Sequence, residues 1–96
     1  MEKGSQERKG VYLNAIQAWG VEAQFLMLME ETGELLQAAA QWRRGRVDRH
    51  MVLGEIADLR IMLEQLEVML GHDVGDSDGQ MCGKIDRLKS RLRENQ

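Results

Sequence analysis

The stretch VEAQFLMLMEETGELLQAAAQWRR, running from Val21 to Arg44, decides the fold. Its apolar residues recur at spacings of three and four and it is rich in Ala, Leu, Met, Glu and Gln, so it predicts one long helix. Its acids are in the wrong place for a solvated surface. Glu30, Glu31 and Glu34 lie inside the apolar run as E-E-x-x-E, and twenty residues later a second apolar run carries Glu55 and Asp58 as E-x-x-D. Each spacing of three or four sets carboxylates on one side of a helix. Burying such mutually repelling groups costs on the order of several kcal/mol each unless something positive meets them. A divalent cation is the economical explanation.

The rest of the chain reads as helix almost throughout. A short helix is expected from about Val11 to Trp19, with Gly20 interrupting before the long second helix. Gly45 to Arg49 is a polar connection in which Asp48 can act as N-cap. A third helix follows from about His50 to Leu70, ending at Gly71. The segment 71–79 holds three glycines and three aspartates and reads as a flexible connector with helix-capping aspartates. A last helix is expected from about Gln80 to Arg93. Residues 1–10 read as a polar, flexible leader, and residues 11–96 as a single domain. The fold class expected is all-α, an antiparallel helical bundle. A chain of 96 residues buries only a modest core alone, so oligomerisation is expected to complete it.

Composition narrows the function classes. Apolar residues make up 43% and charged residues 30%, a globular balance, and proline is absent. Strands would need more Val, Ile, Thr and aromatics. A net charge of −3 gives no electrostatic case for a stable nucleic-acid partner. Cys82 is the single cysteine, which excludes an intramolecular disulfide and a thiolate cluster and fits a reducing cytoplasm. The amino-terminal residues lack the apolar stretch of a signal peptide, and no run is long enough to span a bilayer.

Placed at about 100° per residue, the third helix turns Glu55 and Asp58 the same way as Met51, Met62, Leu66 and Met69. Arg60, Glu64 and Glu67 fall on the opposite, solvated side. In the second helix Glu31 and Glu34 share a strip with Met27 and Ala38, Gln37 and Gln41 mark the wet side, and Glu30 leans towards them. That helix is apolar over most of its circumference, which suggests contacts on more than one side.

Two antiparallel helices would bring Glu31 and Glu34 opposite Glu55 and Asp58. Four carboxylates make a hard, oxygen-rich site suited to Mg²⁺, Mn²⁺ or Ca²⁺. Such ions polarise phosphoryl oxygens and lower the pKa of a bound water, so hydrolysis of a phosphoanhydride is the expected reaction class. Di-iron bundles usually add a Glu-x-x-His pairing, which none of Glu31, Glu34 and Glu55 has. His50 and His72 sit near helix ends as surface or capping residues. An EF-hand built on Asp76, Asp78 and Gly79 would put Val74 and Ile85 at ligand positions and is rejected. In the last helix Met81, Ile85, Leu88 and Leu92 form an apolar stripe. Lys84, Arg87 and Arg91 form a strip beside it, either a solvated basic flank or a cradle for phosphates. Trp42 and Trp19 are candidates for stacking on a base, with core packing as the competing role.

The motifs Glu30-Glu31-Thr32-Gly33-Glu34 and Glu55-Ile56-Ala57-Asp58 resemble those of the MazG-like, all-α nucleoside triphosphate pyrophosphohydrolases. The likeness extends through Trp19-Gly20-Val21-Glu22-Ala23-Gln24, Ile61 to Leu66 and Lys84 to Lys89, covering about residues 12–92. The resemblance implies a helical fold whose subunits pair as dimers or tetramers. It also implies Mg²⁺-dependent cleavage between the α and β phosphates, with Mn²⁺ as a substitute ion, in a house-cleaning or pool-adjusting role. Carried over by motif position, Glu31, Glu34, Glu55 and Asp58 would hold the metal and Glu30 would position or deprotonate the attacking water. Lys84, Arg87 and Arg91 would hold phosphates. Leu88 stands where many relatives carry asparagine, and Leu92 with Arg93 replaces a tyrosine-proline. The related phosphoribosyl-ATP pyrophosphohydrolases tend to show Tyr-His after the second acid pair, where this chain has Arg60-Ile61-Met62. A reading from another class is a non-catalytic helical oligomer or adaptor with a metal-binding or salt-bridged acidic site.

Overall fold

In a computed structural model that describes residues 3–95, the chain forms α1 (Lys3–Trp19), α2 (Val21–Arg43), α3 (Arg49–Met69) and α4 (Asp78–Glu94), with no strand among those residues. The all-α expectation holds. None of these helices is long and apolar enough to cross a membrane.

The helix breaks fall where backbone sterics put them. Gly20 turns the chain between α1 and α2 at φ +90°, a conformation side chains with a Cβ rarely adopt. At the end of α2 the Gly45 N–H donates to the Trp42 carbonyl and the Arg46 N–H to the Gln41 carbonyl, both at 2.9 Å. At the end of α3 the Gly71 N–H donates to Val68 and the His72 N–H to Glu67, both at 3.0 Å. Each pair is the double hydrogen bond that closes a helix on a left-handed glycine, and each satisfies carbonyls the helix leaves unpaired. Asp48 caps α3, its carboxylate accepting from the Met51 N–H at 2.9 Å.

The short connection at 44–48 returns α3 antiparallel along α2, and these two helices pack on each other more extensively than any other pair. Helix α1 lies against both. Helix α4 packs on none of the three. The core is small: Tyr12, Val68 and Val74 cluster with Ile16, and Ala38 and Met62 are buried elsewhere along the helices. Two amides are buried with them, Gln24 at 1% and Gln65 at 5% exposure.

Four expectations are corrected. Helix α1 starts at Lys3, not near Val11, so most of the supposed leader is helical; Met1 and Glu2 lie outside the described residues. Its early turns are held in place because Arg8 reaches α3, its Nε donating to Glu64 at 2.8 Å, and Lys9 pairs with Asp73. Glu64 and Glu67 are not solvated charges. Glu64 also accepts from the Tyr12 hydroxyl at 2.7 Å, and Glu67 accepts from the Gly75 and Ser77 N–H groups at 3.1 and 2.8 Å. The connector after α3 is therefore tied down, not flexible. Its Val74 is buried, and Asp76 accepts from the Asp73 N–H at 2.9 Å and pairs with His72 at the same distance. No aspartate caps α4: Ser77 holds the N-cap position without a side-chain bond, and Asp78 is the first helical residue.

These bonds leave an electrostatic signature. Burial pushes the Glu64 carboxyl up, but the hydrogen bonds from Arg8 and Tyr12 outweigh it and hold the group below its ordinary value. Glu67 shows the same balance, with the Ser77 and Gly75 bonds overcoming burial. Burial, and then the bond to Glu64, push the Tyr12 hydroxyl up to about 12. Both glutamates thus contribute stability that is present above the ordinary carboxylate range and lost as pH falls through their depressed values.

Two substitutions test this architecture. Asp48→Ala removes the α3 cap and is expected to cost about 1 kcal/mol in urea unfolding. Glu67→Ala leaves the Gly75 and Ser77 amides without their acceptor. Amide hydrogen exchange at those two positions should accelerate while the middle of α2 keeps its protection; unchanged exchange at Gly75 and Ser77 would show that the tie does not hold the connector.

Candidate metal centre

Helix α2 presents Glu31 and Glu34 about one turn apart, and α3 brings Glu55 against them. Each offers a carboxylate oxygen, and the three oxygens all lie within 4.8 Å of one another. Glu31 and Glu55 are half-buried and Glu34 is exposed. The Oε2 atoms of Glu31 and Glu55 are buried with no hydrogen-bond partner. The ion pairs found among the described residues join other groups, so no arginine or lysine there clasps these carboxylates. Burial first, then Glu34, Asp58 and Glu55, push the Glu31 carboxyl above its ordinary value. Burial first, then Glu34 and Asp58, do the same to Glu55.

Convergent oxygens, orphaned acceptor atoms and unneutralised charge suit a hard cation. The donor set fits Mg²⁺ or Mn²⁺, which take a few carboxylates and complete their shell with water and phosphate oxygens. Asp58 does not join the three within that 4.8 Å. It is exposed on α3 and acts on Glu31 and Glu55 through its charge. Glu30 is also exposed and lies outside the converging group.

The structure does not bring the basic strip to the acids within one chain. Lys84, Arg87 and Arg91 border a shallow recess of about 240 Å³ around Leu88, on a helix that does not pack along α2 or α3. Neither tryptophan is a core residue, since Trp19 is 66% and Trp42 43% exposed. A cleft of about 730 Å³ lies between α1, α3, the connector and the first turn of α4, away from the acids. Of its carboxylates, Glu64, Glu67, Asp73 and Asp76 are already engaged by Arg8, by backbone N–H groups, by Lys9 and by His72, and Asp78 joins no converging group, so the cleft offers no comparable cation site.

Two further polar side chains are buried, Gln24 on α2 and Gln65 on α3, and Gln24 Nε2 and Gln65 Oε1 have no hydrogen-bond partner. Sequence reading passed over both. The available signal was that Gln24 precedes Glu31 by two helical turns on the same side of α2. The chain matches no family model, no curated protein and no solved structure.

The raised values of Glu31 and Glu55 set the sign of a pH test. The folded state holds these protons more tightly than the unfolded chain does. The pair therefore supports stability below the ordinary carboxylate value, and that support is lost as pH rises through the raised values. In chelator, Glu31→Gln/Glu55→Gln is expected to melt above the wild type at neutral pH, with the gap closing as pH falls to about 4. Thermal melts from acid to neutral pH check this; a gap independent of pH would show that charge is not what burdens the cluster.

Proposed function

We propose that this chain is a Mg²⁺-dependent nucleoside triphosphate pyrophosphohydrolase of the MazG-like type. It cleaves a nucleoside triphosphate between the α and β phosphates with water, releasing the monophosphate and pyrophosphate. It works as a homodimer or homotetramer in the cytoplasm, in nucleotide-pool house-cleaning. The observation that carries the reading is the convergence of Glu31, Glu34 and Glu55 with two buried carboxylate oxygens unpartnered. The spaced E-E-x-x-E and E-x-x-D pattern supports it independently.

In this reading Glu31, Glu34 and Glu55 hold the ion, which supplies charge neutralisation at the phosphates and a more acidic water. Asp58 strengthens the negative field on the cation, and Glu30 positions or deprotonates the attacking water. Lys84, Arg87 and Arg91 bind phosphate oxygens, and the exposed face of Trp42 stacks on the base. The second reading, a non-catalytic metal-binding adaptor, is favoured by one observation: α4 stands apart from the acids in a single chain.

A panel of standard and modified nucleoside triphosphates with Mg²⁺, scored for pyrophosphate against orthophosphate, separates the two. Glu34→Gln is expected to lower kcat/KM by more than the ~10–100-fold typical of losing a supporting contact around a metal, and Asp58→Asn to fall within that range. Mg²⁺ at about 100 times its dissociation constant should stabilise the fold by about 2.7 kcal/mol. Release of orthophosphate alone, or wild-type turnover in Glu34→Gln, would refute the pyrophosphohydrolase assignment. A Mg²⁺-induced melting shift without any turnover would leave the adaptor.

A further inference from the structure

We propose that α4 is an intersubunit arm: its apolar stripe docks on the outer face of α2 in a second copy of this chain. The proposal rests on the pairing of subunits proposed above and names the surface that does it.

The connector gives α4 its direction. Glu67 grips the Gly75 and Ser77 N–H groups, Lys9 pairs with Asp73, and Val74 is buried in the cluster around Tyr12. A segment anchored in this way leads α4 off its own bundle: only its first turn, Asp78 and Met81, borders a cleft shared with α1 and α3, and the rest of the helix packs along none of the other three. Yet α4 is strongly two-sided. Met81, Ile85, Leu88 and Leu92 recur at spacings of four, three and four and are 45–58% exposed. A helix of 17 residues that includes Gly79 and Gly83 is marginal in water without an apolar face to bury.

A second copy carries the matching surface. On α2, Phe25, Met29 and Leu36 form an exposed stripe with Thr32 completing its spacing. Bulk charge favours the same pairing: Lys84, Arg87, Lys89, Arg91 and Arg93 outnumber the acids of α4, in a chain whose net charge is −3, so α4 is positive and the remainder of a second copy negative.

The exposed area matches what an obligate dimer needs. The chain exposes 7551 Å², whereas a compact monomer of 11.0 kDa exposes about 5,600 Å². The excess of about 1,900 Å² per chain, about 3,800 Å² for two, lies within the range of obligate homodimer interfaces, which total roughly 2,000–5,000 Å² over both partners. The radius of gyration of 16.3 Å, against about 12.5 Å for a compact domain of this length, reports the same projecting arm.

Light scattering on the full chain should give twice the 11.0 kDa chain mass, or a higher even multiple. Ile85→Glu/Leu88→Glu in α4, and separately Met29→Glu/Leu36→Glu in α2, should each reduce it to one chain with the helical circular dichroism of α1–α3 retained. Should either variant fail to fold, hydrogen exchange on the wild type decides. A docked α4 protects its amides for minutes or longer, whereas a free arm exchanges within seconds. A monomeric wild type would overturn this proposal together with the pairing it rests on. An oligomer whose mass survives either double substitution would overturn the arm alone.

Discussion

The apolar seam between α2 and α3 presses Glu31, Glu34 and Glu55 closer together than three carboxylates settle in water. Helix formation fixes the one-turn separation of Glu31 and Glu34, and antiparallel packing supplies Glu55 from across the seam. Their backbones cannot move apart without breaking the packing that makes the fold, so only a change of side-chain rotamer can separate the charges. The folded chain answers part of the repulsion by raising the proton affinity of Glu31 and Glu55. A dication would answer it more completely, because it meets several oxygens at once and adds attraction where protonation only removes repulsion. Stability and metal affinity are thus opposed in the empty state and aligned in the loaded one.

Two further glutamates do the opposite work. Glu64 and Glu67 lie on the same helix as Glu55, yet each is saturated with donors and held below its ordinary pKa. Glu64 fastens α1 through Arg8 and Tyr12, and Glu67 fastens the connector. One end of α3 therefore carries acids that organise the structure, and its earlier turns carry acids that the structure leaves unsatisfied. The contrast distinguishes the candidate site from its surroundings more sharply than acidity alone, since both ends are acidic.

The fold is also incomplete in a physical sense. Its buried apolar set is small, two amides with unmet polar atoms are buried beside it, and whole stripes of α2 and α4 face water. A helical chain of this size with so little core gains most from covering those stripes, and a second copy presents the same stripes in turn. The basic strip on α4, idle within one chain, would travel with that arm.

How much of this was legible beforehand follows from the range of the interactions involved. The extents of α2, α3 and α4, the Gly20 break, the Asp48 cap and the gathering of Glu31, Glu34 and Glu55 depend on spacing within one helix or across one short connection. They could be read from the order of residues. The ties Arg8–Glu64, Tyr12–Glu64 and Lys9–Asp73 join residues more than fifty positions apart, and a helical wheel cannot tell an acid facing water from one facing a distant arginine. For the same reason the leader and the connector were read as loose when both are held. The exposed outer position of Asp58 and the isolation of α4 were likewise decided by tertiary packing, because which side of a helix is covered depends on where the other helices lie. Local periodicity determined the helices and the acid pairs; only the three-dimensional arrangement decided which charges were answered and which were left open.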